Sequence, residues 1–127
     1  MELDRLKADL ELLDDWEDKY QHIIDLGKLL PHAPHEDAFK VDGCISQVWV
    51  QMYEKDGRIF MNADSDALIV KGLLAIIWLA VNDKTRQEVA GMDLQNILEI
   101  LGLAEYISPN RRNGFANTIL RIRNFAS

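Results

Sequence analysis

Leu3, Leu6, Leu10 and Leu13 recur at intervals of three and four residues, which places them on one stripe of an α-helix. Asp14 followed by Glu17 has the form of a capping box, so a second helix is predicted to start there. Its apolar face would be Trp16, Tyr20, Ile23, Ile24 and Leu30, with Gly27 weakening or ending the last turn. Two prolines in "PHAPHEDAFK" then break the helical period and mark a loop. From Cys44 to Tyr53 the period changes to two. Val48, Val50 and Met52 are predicted to face a core, and Gln47, Trp49, Gln51 and Tyr53 the other side. "KDGR" supplies the Asp-Gly turn of a tight hairpin, and Ile59, Met61 and Ala63 continue the alternation on the returning strand. Residues 40–43 could add a short third strand.

Beyond the hairpin, Asp64, Ser65 and Asp66 offer three N-cap side chains before an apolar helix over about 67–81. That helix is hydrophobic nearly all round, so neighbours must cover it on several sides. Thr85 and Glu88 form a second box-like start. Asp93 is placed to cap a helix ending near Gly102, and Ser108-Pro109 to open the last one, with Phe115, Ile119 and Ile122 inward. The class predicted is α+β: helices from both ends of the chain packed against a small antiparallel sheet, as one domain over 1–127.

Composition changes this picture little. With 127 residues, 48% hydrophobic and 28% charged, the chain has the balance of a soluble globular protein. The net charge of −7 and a pI near 4.8 argue against nucleic acid as a partner, because an acidic surface forgoes the counterion release that drives such binding. The run "ALIVKGLLAIIWLAV" is too short to span a bilayer and carries Lys71, so no membrane association is expected. The first fifteen residues have no apolar signal core, and a reducing cytoplasm is the expected location.

The chemistry narrows to one thiol. Cys44 is the only cysteine, so it can close no internal disulfide and cannot by itself ligate an iron–sulfur cluster in a monomer. It reads either as a small buried hydrophobe or as a nucleophile. Gly43 lets the backbone turn freely beside it and lets another chain approach closely. Asp66 reads most simply as a helix cap, and Arg111 and Arg112 as surface charges. His32 and His35 have no spacing that suits a metal site, and no metal is expected.

"GCISQVWV" followed by "ADSDALIVKGLLAII" resembles the signature of the SufE-like family, whose subtypes include SufE and CsdE. The resemblance reaches back to "WEDKYQHIIDLG" and forward to "ISPNRRNGFANTILRIR", roughly residues 14 to 123. It implies a sulfur acceptor that works beside a SufS/CsdA-type cysteine desulfurase, stimulates it, and passes sulfur to an iron–sulfur scaffold or another acceptor. Pyridoxal phosphate belongs to that partner, and no cofactor of this chain's own is implied. By resemblance Cys44 is the persulfide acceptor, and Asp66 and Arg111 lie at the partner surface. Read from position alone, Gly43, Gln47 and Trp49 are the surroundings of the cysteine loop, although Gln47 and Trp49, which share a strand face, could also simply pack under helices. Ile45 departs from the glutamine that many members carry after the cysteine. The thiol is expected to rest partly shielded and to become exposed on docking. The competing readings are a cysteine-nucleophile or thiol-redox enzyme using Cys44, and an interaction module in which Cys44 has no role.

Overall fold

The structure is a computed structural model and describes residues 3–43 and 46–127. Cys44 and Ile45 lie outside the described residues. Among the described residues, six helices surround a three-stranded antiparallel sheet of order β1-β2-β3. The fold is α+β, as the pattern predicts.

The apolar run forms α3 (Leu68–Val81), with ten of its residues buried. The helices α1 (Leu3–Glu11) and α2 (Trp16–Leu26) pack against it through Leu6, Leu10, Ile23 and Leu26. Two glycines allow the α2–α3 approach. A Cβ on Gly72 would stand 2.1 Å from the carbonyl oxygen of Ile23, and one on Gly27 would stand 3.2 Å from the Gly72 nitrogen. Gly27 itself has helical backbone angles and begins a 3-10 turn, so the α-helix tightens there and does not simply stop.

The hairpin pairs β1 (Val48–Lys55) with β2 (Arg58–Ser65), from Val48↔Ser65 to Lys55↔Arg58. Asp56 and Gly57 at the turn have φ of 53° and 78°, the two left-handed positions that match a tight turn to the strand twist. Val48, Val50, Ile59, Met61 and Ala63 are buried toward α3. The third strand is β3 (Lys84–Thr85), which pairs with Arg58 and Ile59. It is not formed by residues 40–43, where a single bridge joins Lys40 to Trp49. The open remainder of the β2 edge is satisfied otherwise: Ala63 N–H donates to the Pro31 carbonyl at 2.8 Å and Met61 N–H to Asn82 Oδ1 at 3.1 Å.

Three further expectations change in detail. Asp15, not Asp14, caps α2, accepting the Glu17 N–H at 3.0 Å. Trp16 is half exposed, its ring stacked on Tyr106 with centroids 5.7 Å apart. The Thr85–Glu88 box is complete at the start of α4 (Arg86–Ala90). After Asp93 the chain makes a 3-10 turn (Leu94–Asn96) before the short α5 (Ile97–Ile100), so the expected helix is divided. Ser108 and Pro109 open α6 (Pro109–Ala126), which buries Ile119 and Ile122 with Phe115 partly covered.

Candidate functional site

The chain around the cysteine leaves and rejoins the sheet at one place. Val41 N–H donates to the Val48 carbonyl at 2.8 Å, and Lys40 bridges Trp49, so residues 42–47 are an excursion from the root of β1. Cys44 and Ile45 lie within it, outside the described residues. The strand begins only at Val48, later than the alternation predicts.

Both ends of the excursion are held from elsewhere in the fold. On the entering side, Asn117 Nδ2 donates to the Asp42 carbonyl at 2.8 Å. Arg121 Nη1 donates to the Phe39 carbonyl at 2.8 Å and the Val50 carbonyl at 3.4 Å, and its Nη2 donates to the Lys40 carbonyl at 3.0 Å. Gly43 has φ of +95°, and a Cβ there would meet Asn117 Nδ2 at 2.8 Å. Glycine is required twice at this position, by backbone conformation and by the closeness of α6.

On the leaving side the structure corrects the sequence. Asp66 does not cap α3: the N-cap residue is Ala67, whose N–H donates to Ser65 Oγ at 3.2 Å. The Asp66 carboxylate instead accepts the Gln47 N–H at 2.9 Å, while Asp66 N–H donates to the Gln47 carbonyl at 3.3 Å. The pair closes a reciprocal clamp. The physical reason is choice of donor: a short acidic side chain at a strand–helix junction can serve its own first turn or a neighbouring strand root, and here it takes the Gln47 N–H.

Arg111 stands half-buried in the first turn of α6. It lines a narrow cavity of ≈ 10 Å³, about the room of one water molecule, together with Val48, Val70, Ile107, Phe115 and Thr118. Val48 follows Gln47 in sequence, and Val70 lies one helical turn beyond Asp66. The cavity is therefore apolar, sits at the root of β1, and has one cation in its wall. Trp49 does not line it.

Trp49 belongs to a second cluster. Although it faces away from α3, it is buried, because the His35 ring stacks on it at 3.7 Å and 5°. His35 Nε2 also meets Asp64 Oδ2 at 2.6 Å. Asp64 Oδ1 is 3.4 Å from Lys71 Nζ, which donates to His32 Nε2 at 2.9 Å. Burial opposes ionisation of Asp64, but the His35 hydrogen bond, the Ser65 N–H and the Lys71 charge together outweigh it. The carboxyl is held below the ordinary range. His35 is thus engaged by Asp64 and Trp49. Among the described residues no group of three His, Cys, Asp or Glu side chains is arranged to hold a metal ion, and no helix is long and apolar enough to cross a membrane.

Asn117 and Arg121 were not singled out by the sequence. Their contacts span 75 and up to 82 residues, and nothing local marks a surface asparagine or arginine as the partner of a remote carbonyl.

Comparison with known proteins identifies the family and the fold. The family model described as "Fe-S metabolism associated domain", SufE, matches residues 4–126. An uncharacterized SufE-like protein of Rhizobium etli is 39% identical over 128 residues, covering 95% of this chain and 86% of its own. One from Rhizobium meliloti is 37% identical, covering 98% and 94%. The solution structure of a hypothetical protein from Thermus thermophilus shares the fold with a TM-score of 0.76 at 20% identity, over 99% of this chain and 96% of that one. The chain belongs to the SufE family, whose domain is associated with Fe–S metabolism.

Proposed function

We propose that this protein accepts a sulfur atom on Cys44 from the persulfide of a pyridoxal-phosphate-dependent cysteine desulfurase, stimulates that enzyme, and passes the sulfur on to iron–sulfur cluster assembly. The observation that carries the reading is a SufE match over residues 4–126 in a chain with one cysteine, set on a segment that other elements hold at both ends.

The exchange balances without a further reagent. The Cys44 thiolate attacks the terminal sulfur of the desulfurase persulfide, and a new S–S bond forms to Cys44. The old S–S bond breaks, and the desulfurase thiolate leaves with the electron pair; the terminal sulfur keeps its proton. Pyridoxal phosphate does its chemistry in the partner, and this chain is a carrier that turns over once per loading. A reducing compartment such as the cytoplasm suits a free thiol. The small apolar cavity beside Val48 and Arg111 borders the leaving end of the excursion, and in this reading the clamped ends serve to place the thiol. Asp66, bound to Gln47, and Arg111, beside Val48, carry opposite charges near the root of β1 and are the residues this reading assigns to a partner surface.

The test is intact-mass spectrometry after incubation with a cysteine desulfurase and free cysteine. The wild-type chain gains the mass of one sulfur atom on Cys44, and Cys44→Ser gains none and loses stimulation. Charge reversal at Asp66 or Arg111 weakens stimulation. A wild-type chain that never gains the atom from any desulfurase overturns the reading.

A further inference from the structure

We infer that Arg121, assisted by Asn117, is a positioning residue for the thiol: it fixes the two feet of the cysteine-bearing excursion relative to each other. The inference rests on the acceptor reading above and adds a role that no feature of that reading requires.

The argument begins with which carbonyls Arg121 holds. Phe39 and Lys40 precede the excursion, and Val50 follows it. Through Nη1, which donates to both Phe39 and Val50, one planar guanidinium ties the chain before Cys44 to the chain after it, and its second nitrogen, Nη2, holds Lys40 as well. An ammonium carries its three donors on one nitrogen and cannot reproduce that two-nitrogen spread. Four residues upstream on α6, and so on the same helix face, Asn117 holds the Asp42 carbonyl. Gly43 presses against Asn117 and Asn113 where a side chain would not fit. Cys44 is two residues from Asp42 and three from Gln47, so these holds act on it through no more than about 10 Å of chain.

Sulfur exchange between two proteins is sensitive to such placement, since misplacing a reacting atom by about 1 Å costs up to about 100-fold in rate. The holds cost nothing in reactivity, because neither side chain needs to touch the sulfur. Arg123, two residues on, supplies an internal control: its Nη2 donates at 3.3 Å to the Met92 carbonyl, far in sequence from the excursion.

The experiment compares wild type, Arg121→Gln, Arg121→Lys, Asn117→Leu and Arg123→Gln, each checked for an intact fold by its thermal melt. With saturating desulfurase and cysteine, Arg121→Gln loads sulfur about 10-fold more slowly while its half-saturating concentration stays within about twofold, a split that separates placement from docking. Arg121→Lys recovers part of the rate, Asn117→Leu shows a smaller loss, and Arg123→Gln loads as wild type. Equal rates for Arg121→Gln and wild type, or an equal loss in Arg123→Gln, overturn the inference. If no variant loads sulfur, the acceptor reading fails by itself. The positioning role is then decided by the rate at which iodoacetamide alkylates Cys44: a change of about threefold or more in Arg121→Gln but not in Arg123→Gln supports it, and equal rates overturn it.

Discussion

Replacing Asp66 by alanine removes one carboxylate, and two accounts of that carboxylate forecast the same total loss. If it capped α3, the variant would forfeit an N-cap worth about 1 kcal/mol. If it holds Gln47, as the 2.9 Å contact indicates, an exposed charge-assisted hydrogen bond is lost, again about 1 kcal/mol. For a chain of this size either loss lowers the melting temperature by about 4 °C, so a melt cannot distinguish them. Local opening can. A bond of about 1 kcal/mol holds its amide closed about fivefold more, so the Gln47 amide should exchange with deuterium about fivefold faster in Asp66→Ala. The amides of Ile69 and Val70 in the first turn of α3 should be unchanged, because the Ser65 hydroxyl serves that junction. Hydrogen exchange read by NMR at native pH is the assay. Acceleration in the first turn of α3 with no change at Gln47 would refute the clamp, and with it the claim that Asp66 helps define the cysteine segment.

Gly72→Ala is expected to be severe: its Cβ would lie 2.1 Å from a backbone oxygen that no rotamer change can move, forcing α2 off α3. A cost of about 3 kcal/mol or more follows, read as a fall of roughly 10 °C or more in the melt, whereas Gly91→Ala, whose Cβ would meet nothing closer than 3.6 Å, should melt near wild type. Asp64 sets part of the acid limb of stability. Its folded carboxyl is held low, so the unfolded chain binds the proton more readily near pH 4; stability is full above that range and lost as pH falls through the folded value. Asp64→Asn should cost about 1–3 kcal/mol at pH 7 in urea unfolding, because His35 and Lys71 lose their anionic partner. It should also flatten the decline in acid, and an unaltered acid limb would contradict the assignment.

What the chain made readable was what depends on neighbours in sequence. The leucine stripe as far as Leu10, the Asp-Gly turn, the Thr85–Glu88 box and the all-apolar helix each rest on residues no more than a few turns apart and form where the pattern puts them, while Leu13 lies beyond the end of α1. The misreadings nearest the site have the opposite cause. Asp66 reads as a cap for the helix that follows it, and the donor it uses lies 19 residues away in sequence. Trp49 sits at an outward position of the alternation, yet a histidine from the preceding loop covers it. The two residues of β3 are too few to show a period at all.

The same division explains why the thiol was legible and its setting was not. A single cysteine after a glycine can be picked out by eye, but every hold described on its segment comes from a distant element: Asp66 at the strand–helix junction, and Asn117 and Arg121 on the last helix. These attachments meet the segment on both sides, so under the positioning role inferred above a disturbance at the helix and one at the junction are expected to act on the same placement. The consequence is a coupling that can be measured. If Asp66 and Arg121 act on one placement, the loss of sulfur loading in Asp66→Ala with Arg121→Gln should differ from the product of the single losses by about threefold or more. Losses that multiply independently would mean that the two ends are held for separate reasons, and that the segment is two anchored strand ends with no common purpose.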